Sequence, residues 1–387
     1  MTPSAGQVAL FAGFALTGAG TALLGPVLPA LLARLHLTDV QSGRLFTAQF
    51  LGAFAAALAA SAAVARVGMR GAALIAFAAI AAGFAAAGWA SPAALPISVL
   101  LYGAGLGLAI PVVTLMVAAM TPGKSASVLN LLNFGWCAGA LAVPSIVSAI
   151  LSRCSLPALF GAFAGAAALV ALAVRLTVHR EPPAGVESSR VRTPGHHLAL
   201  AALTSALLFL YVGTESSLAG WTPTWAARLG ASTYLRTAPA SCFWGGILVA
   251  RLLAPASLPR VAPSTAILSG LLLNAAALGA MLSLRSVPAL IAGGAAAGLG
   301  LGVVFPTAVA MFCDEIGPGA ARSFNFVFAS GALGGATVPL ATGWVTSRSE
   351  GLGVALAPVA FCTVMMVGIE LLILKRLRDH LVISRGA

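Results

Sequence analysis

Twelve long apolar stretches, separated by short polar turns, run along the 387-residue chain. Each has about 20 residues or more, the length of a helix that crosses the hydrocarbon core of a bilayer. They lie near residues 7–31, 41–65, 71–90, 93–119, 126–151, 156–178, 198–226, 236–256, 264–284, 288–312, 322–346 and 352–374. The pattern predicts an all-α membrane protein with twelve transmembrane helices. The first stretch follows no basic residue and has no obvious processing site, so we expect it to be retained.

One polar stretch, HREPPAGVESSRVRTPGHH, is longer than the other turns and divides the apolar stretches into two sets of six. We therefore predict an N-terminal six-helix bundle over 1–178, a cytoplasmic linker over 179–197, and a C-terminal six-helix bundle over 198–387. The last of these ends in a short cytoplasmic tail.

An internal repeat relates the two halves. The segments GAGLGLAIP, Gly103–Pro111, and GLGLGVVFP, Gly298–Pro306, carry three glycines and a proline at the same spacing. After the next loop the correspondence shifts by one residue and pairs Gly139 with Gly335. Two parallel repeats that form two bundles are an architecture of secondary transporters.

Charge gives the orientation. The chain is 60% hydrophobic and only 8% charged, with a net charge of +12. With the amino terminus inside, 14 of the 21 basic residues lie on the cytoplasmic side and 7 outside, as the positive-inside rule requires. We expect a multi-pass protein of the cell inner (cytoplasmic) membrane with both termini in the cytoplasm. Anionic lipid headgroups then explain the positive charge, and we expect no nucleic-acid partner.

Several classes of chemistry find no support in the sequence. The five cysteines are scattered without CxxC or CxxH spacing, which favours small apolar packing residues. The glycine-rich segments do not match the phosphate-binding pattern GxxxxGK[ST], and histidine and aspartate form no cluster. We expect no cofactor, no metal site and no enzyme activity, and we expect a monomer.

The segment LYVGTESSLAGWTPTW, within the seventh stretch, places Glu215 inside an apolar helix. Carboxylates are rare there and are usually functional. At about 100° per residue, Thr204, Tyr211, Glu215 and Thr222 fall on one face and form a polar stripe. We expect Glu215 to bind substrate and to be the site of a coupling proton or sodium ion; the alternative is a carboxyl group that only ties two helices together. Nearby glycines and a proline favour a bend: Gly213, Gly220 and Pro223.

Other polar and aromatic residues are candidates for substrate binding. In the fifth stretch, Asn133 and Trp136 share a face, and the amide and indole groups suit the hydroxyl and C–H surfaces of a sugar. Further candidates come from five other positions: Gln49, Tyr211, Trp221, Trp244 and Asn325. For tryptophan the alternative is an anchor at the membrane interface, and for Asn325 it is tight helix packing.

The loop ASAAVARVGMRGAA resembles the loop after helix 2 of the major facilitator superfamily. Arg66, Gly68 and Arg70 fit the family pattern, whereas Ser61 and Ala65 replace its first glycine and its aspartate. The resemblance extends over the whole chain and implies the twelve-helix fold of that superfamily.

A narrower resemblance is to the fucose permease, glucose/galactose and sodium-dependent glucose transporters. YVGTESSLAGWTPTW is similar to their helix 7, KSASVLNLLNFGWCAGALAVP to their loop into helix 5, and FWGGILVAR to their helix 8. Unlike those proteins, the chain has no acidic residue in its first apolar stretch. The cytoplasmic gate that we expect consists of Arg66, Arg70, Arg251 and Asp314.

These features predict a secondary active transporter that works by alternating access with proton or sodium symport. The solute that we expect is small and polar, namely a sugar. The alternatives are an exporter of drugs or other amphipathic compounds and an uncoupled sugar uniporter. Glu370 precedes Lys375 and Arg376 by little more than a turn. We expect its side chain to reach the cytoplasmic interface, which leaves Glu215 as the only acidic residue inside the membrane region.

Overall fold

The fold is described from a computed structural model, in which residues 4–121, 125–178, 195–257, 261–316, 321–348 and 352–386 are described. Within these ranges every regular element is a helix. The helices are α1 (Ala5–Ala22), α2 (Leu24–Leu35), α3 (Asp39–Trp89), α4 (Leu95–Met120), α5 (Ser125–Leu151), α6 (Leu156–Thr177), α7 (Gly195–Arg228), α8 (Ala238–Ser257), α9 (Pro263–Leu284), α10 (Val287–Leu301), α11 (Val304–Ile316), α12 (Ala321–Thr346), α13 (Leu352–Ala355) and α14 (Ala357–Gly386).

These helices account for the twelve predicted crossings. The first crossing is α1 and α2 together, interrupted at Leu23, three residues before Pro26, which has no N–H to continue the hydrogen-bond ladder. The tenth is α10 and α11, interrupted at Gly302 and Val303 ahead of Pro306. Helix α3 contains the second and third crossings.

In α3 the two crossings meet at Gly68, which has a positive φ of 74°, a conformation that glycine adopts without steric cost. Within the described ranges, nine helices are long and apolar enough to cross a membrane, and α3 provides two crossings. The predicted all-α membrane fold is confirmed.

The described chain forms two compact units. Unit 1 comprises Met1–Gly185 and Ala219–Ser241, and unit 2 comprises Val186–Leu218 and Cys242–Ala387. The units thus differ from the predicted halves, because the last part of α7, the following loop and the first residues of α8, together Ala219–Ser241, group with unit 1.

Glycines at repeated positions allow two helices to pack closely in the same way in both units. A Cβ atom on Gly103 of α4 would overlap the carbonyl oxygen of Gln49 in α3, and one on Gly298 of α10 would overlap the carbonyl oxygen of Phe243 in α8. The two partners are 194 residues apart, and the two glycines 195. Only glycine allows this approach of two backbones, which explains the repeated spacing in physical terms.

A second pair of glycines corrects the alignment of the repeats. Gly139 of α5 packs on the carbonyl oxygen of Ala15, and Gly334 of α12 packs on that of Phe209. Ala15 and Phe209 are again 194 residues apart. Gly334, and not Gly335, is therefore the structural counterpart of Gly139, so the one-residue shift that we predicted is wrong here.

Candidate functional site

The carboxylate of Glu215 lies in unit 2 on the polar stripe of α7. One turn earlier on the same helix, the Tyr211 hydroxyl donates a hydrogen bond to Glu215 Oε1 at 3.0 Å. The Tyr211 side chain is buried and packs against Phe305 of α11, with ring centroids 5.6 Å apart. The Glu215 side chain is only half-buried. The phenol therefore fixes one carboxylate oxygen while the carboxylate keeps an accessible surface.

Arg251 of α8 brings a positive charge to this pair. Its guanidinium interacts electrostatically with Glu215 and Tyr211 and donates toward the Tyr211 hydroxyl. Arg251 is half-buried as well. Tyr211, Glu215 and Arg251, from here on the charged triad, form a polar cluster in unit 2. Charged groups at membrane depth are expected to pair in this way.

The charged triad changes the picture of the predicted cytoplasmic gate. We expected Arg251 to approach Asp314, but the structure places Arg251 beside Glu215 and Tyr211. Asp314 lies exposed near the end of α11. Sequence spacing suggests that Arg251 is near the cytoplasmic end of its helix, but spacing alone does not show which neighbour its long side chain reaches.

The other two gate candidates lie in α3 on either side of its kink at Gly68. Arg66 is exposed, while Arg70 donates a hydrogen bond to the carbonyl oxygen of Arg175 at the end of α6. Arg70 thus connects the loop after the second crossing to the end of the sixth. A gating role for Arg66 and Arg70 stays a prediction.

Helix α7 does not unwind near Glu215. It is continuous from Gly195 to Arg228 and contains Pro223 without a break, and a bend that keeps the helix intact stays a prediction. A Cβ atom on Gly213 would overlap the side chain of Val338, and one on Gly220 would overlap the ring of Phe46. The glycines of α7 allow close packing and are not points where the helix unwinds.

Gln49 occupies a hydrogen-bonded position in the core of unit 1. Its Oε1 accepts a hydrogen bond from the Tyr102 hydroxyl at 2.8 Å, and its Nε2 donates to the Thr21 carbonyl oxygen at 3.1 Å. The side chain is buried. These hydrogen bonds connect α1, α3 and α4, which accounts for a glutamine at this position. The geometry gives no support to the proposed contact of Gln49 with substrate.

The helix-5 candidates, Asn133 and Trp136, lie in α5 of unit 1. Asn133 is exposed, and its Nδ2 donates to the Leu129 carbonyl oxygen one turn earlier at 3.0 Å. Trp136 is half-buried. Both belong to unit 1, whereas the charged triad belongs to unit 2. Their role in substrate binding stays a prediction.

Two tryptophan candidates are packed in aromatic pairs. Trp221 is buried against Phe46 with ring centroids 6.4 Å apart, and Trp244 is buried against Phe243 with centroids 5.6 Å apart. Asn325 lies in α12, but its side chain is outside the described residues.

The structure also corrects the expectation for Glu370. The side chain does not reach the interface; only 1% of its surface is exposed. Among the described side chains of unit 2, Glu215 and Glu370 are therefore the two acidic ones that are at least half-buried. The sequence signal was ambiguous because the basic residues that follow Glu370 are typical of both an interfacial carboxylate and a buried one.

Comparison with known proteins identifies the family. Residues 10–284 match the family model described as the Major Facilitator Superfamily. The chain belongs to this superfamily. None of the curated proteins compared with the chain matches it. As a superfamily member, the protein is a multi-pass membrane protein and a secondary transporter of a solute, and the superfamily is generally not enzymatic.

Proposed function

We propose that this superfamily member carries a small polar solute, a sugar, across the cytoplasmic membrane by alternating access, with both termini in the cytoplasm. We further propose that Glu215 couples transport to a proton or sodium gradient. The observation that supports both parts is the charged triad, which combines a half-buried carboxylate, a phenol and a guanidinium in unit 2.

The triad has the chemistry that sugar hydroxyls require. A carboxylate accepts hydrogen bonds, a guanidinium donates them, and a phenol does both. The Tyr211 and Phe305 rings add aromatic surface beside these polar groups, and aromatic rings commonly line small-molecule sites. The resemblance of the α7 segment to the fucose permease group supports a sugar as the solute.

Competition for Glu215 supplies a coupling mechanism. In the structure the carboxylate interacts with Arg251 and Tyr211. A proton or sodium ion that binds Glu215 neutralises it and weakens its attraction to Arg251. The guanidinium is then available to the solute, so cation and solute favour the same state. Such differential binding is the thermodynamic requirement for coupling.

The test is uptake of a labelled sugar panel into proteoliposomes with imposed proton or sodium gradients. We expect one gradient to drive accumulation of one sugar class by the wild type. Glu215→Gln keeps the size of the side chain but removes the charge, so it should lose at least about tenfold of gradient-driven uptake. Glu315→Gln is the matched control, because Glu315 is an exposed carboxylate on α11, and it should transport normally.

Three outcomes contradict parts of the proposal. Wild-type uptake that ignores both gradients indicates a uniporter. Unchanged gradient response in Glu215→Gln excludes the coupling role of Glu215. Gradient-driven movement of a lipophilic cation, without uptake of any sugar, favours the exporter of amphipathic compounds.

A further inference from the structure

The second interior carboxylate, Glu370 of α14, lies at a small cavity in unit 2. The cavity has about 10 Å³ of open space, close to the minimum that holds one water molecule. It is lined by residues of three helices: Leu200, Thr204, Ala308, Met311, Phe312, Glu370 and Ile373. Most of this lining is apolar.

Among the described residues, the carboxylate of Glu370 lacks adequate compensation. Neither Oε1 nor Oε2 has a hydrogen-bond partner of good geometry among the described residues. The hydroxyl of Ser264 in α9 is close enough to interact with the carboxylate, and Thr204 lines the same cavity. An ionised carboxylate in such surroundings is strongly unfavourable, because hydroxyl groups replace only part of its hydration.

No basic side chain of the described residues supplies the missing positive charge. The parts of α7, α9, α11, α12 and α13 whose side chains are described contain no lysine, arginine or histidine next to the cavity lining. On α14 itself, Lys375 and Arg376 are exposed. Asp314 and Glu315, at the end of α11, are exposed as well. Their negative charges could not balance that of Glu370.

We propose that Glu370 is the centre of a site for one monovalent cation, either a proton on the carboxyl group or a sodium ion in the adjacent cavity. The size of the cavity matches a single water or ion. Its oxygen groups, a carboxylate with hydroxyls of Thr204 and Ser264 nearby, suit a hard cation, which prefers oxygen ligands. Binding of the cation neutralises the buried carboxylate.

This site is separate from the charged triad, although α7 contributes to both. Thr204 and Glu215 are eleven residues apart on α7, so about 16 Å of helix lies between them. Cation binding at Glu370 does not depend on the identity of the solute. The inference therefore goes beyond the proposed function and can be tested without transport.

The experiment measures the thermal unfolding of the purified protein in lipid nanodiscs, across a pH series and in sodium against N-methylglucamine. If the cation is a proton, the native state binds it and the unfolded state releases it, so stability falls as the pH rises. Each such proton changes the unfolding equilibrium constant about tenfold per pH unit. If the cation is sodium, adding it to about one hundred times its Kd raises the equilibrium ratio of folded to unfolded protein about a hundredfold.

Variants in a Glu215→Gln protein assign the effect, because the proposed function also places a cation at Glu215. The Glu215→Gln protein should keep the pH or sodium dependence that comes from Glu370. Adding Glu370→Gln should remove that dependence, and adding the control Glu315→Gln should not. The proposal is overturned if the Glu215→Gln protein shows neither dependence, or if the dependence persists after Glu370→Gln is added. The first of these outcomes decides the matter even where the Glu215→Gln/Glu370→Gln protein does not fold. Loss of sugar uptake alone bears only on the proposed function.

Discussion

The first helices of the two repeats carry different groups at an equivalent position. In unit 1, Thr21 of α1 is a neutral residue whose carbonyl oxygen accepts a hydrogen bond from Gln49, and whose hydroxyl donates to the Thr17 carbonyl oxygen at 2.8 Å. In unit 2, the position 194 residues later is Glu215, which interacts with Tyr211 and Arg251. One position belongs to a neutral structural network and the other to a charged cluster.

This difference shows which features of the repeat are constrained by helix packing. The backbone contacts of Gly103 and Gly298 are alike in the two units, because a close approach of two helices admits no other residue. The neighbouring polar positions are free to diverge, because a buried polar group needs only a suitable partner. The repeat thus preserves packing, while the proposed coupling residue Glu215 stands in unit 2 where unit 1 has the neutral Thr21.

The largest effect that we expect comes from breaking the shared packing. Gly103→Ala and Gly298→Ala each place a Cβ atom against a backbone carbonyl oxygen, which cannot rotate away as a side chain would. We expect each to cost about 3 kcal/mol of folding free energy, the upper part of the usual range for overpacking. Yield of monodisperse protein and the melting temperature measure this loss.

Matched glycines control this experiment in each unit. A Cβ atom on Gly161 of α6 or Gly279 of α9 would meet no atom within 4 Å. The two alanine variants should change stability by less than about 1 kcal/mol and should tend to stabilise, since alanine favours helix. An equal loss of stability from all four substitutions would show that the close approach of helices is not the reason for the shared spacing of the two glycine segments.

The sequence allowed most of the fold to be predicted and only part of the site. Apolar length gave the twelve crossings, and glycine spacing gave the repeat, since both depend on residues near one another in the chain. The intramembrane position of Glu215 was evident for the same reason. The electrostatic interaction of Arg251 with Glu215 and the burial of Glu370 were not evident, because they depend on which helices meet, and helical periodicity does not contain that information.

A smaller effect should follow from removing one charge of the triad. Arg251→Gln leaves Glu215 without its positive neighbour, and we expect a loss of about 2 kcal/mol of stability, within the range for orphaning a buried polar group. Adding Glu215→Gln should recover most of that loss, since both charges are then gone. Thermal unfolding of the two single variants and the double variant forms a double-mutant cycle.

Transport measurements on the same three variants distinguish a loss of stability from a loss of function. The double variant should fold well yet fail to accumulate solute against a gradient, because it has lost the carboxylate that we propose as the coupling group. Stability losses that simply add in the double variant would contradict a direct interaction between Glu215 and Arg251.

The smallest effect should come from the neutral network of unit 1. Gln49→Leu leaves the buried Tyr102 hydroxyl without its acceptor and should cost about 1 kcal/mol of stability. Tyr102→Phe in the same protein should remove most of that penalty, because no unpaired hydroxyl is left. The half-saturating solute concentration should change by less than about twofold, since the contacts of Gln49 connect helices of unit 1. A large rise in that concentration with unchanged stability would instead place Gln49 at the solute, as first expected from the sequence, and would mean that both repeats bind it.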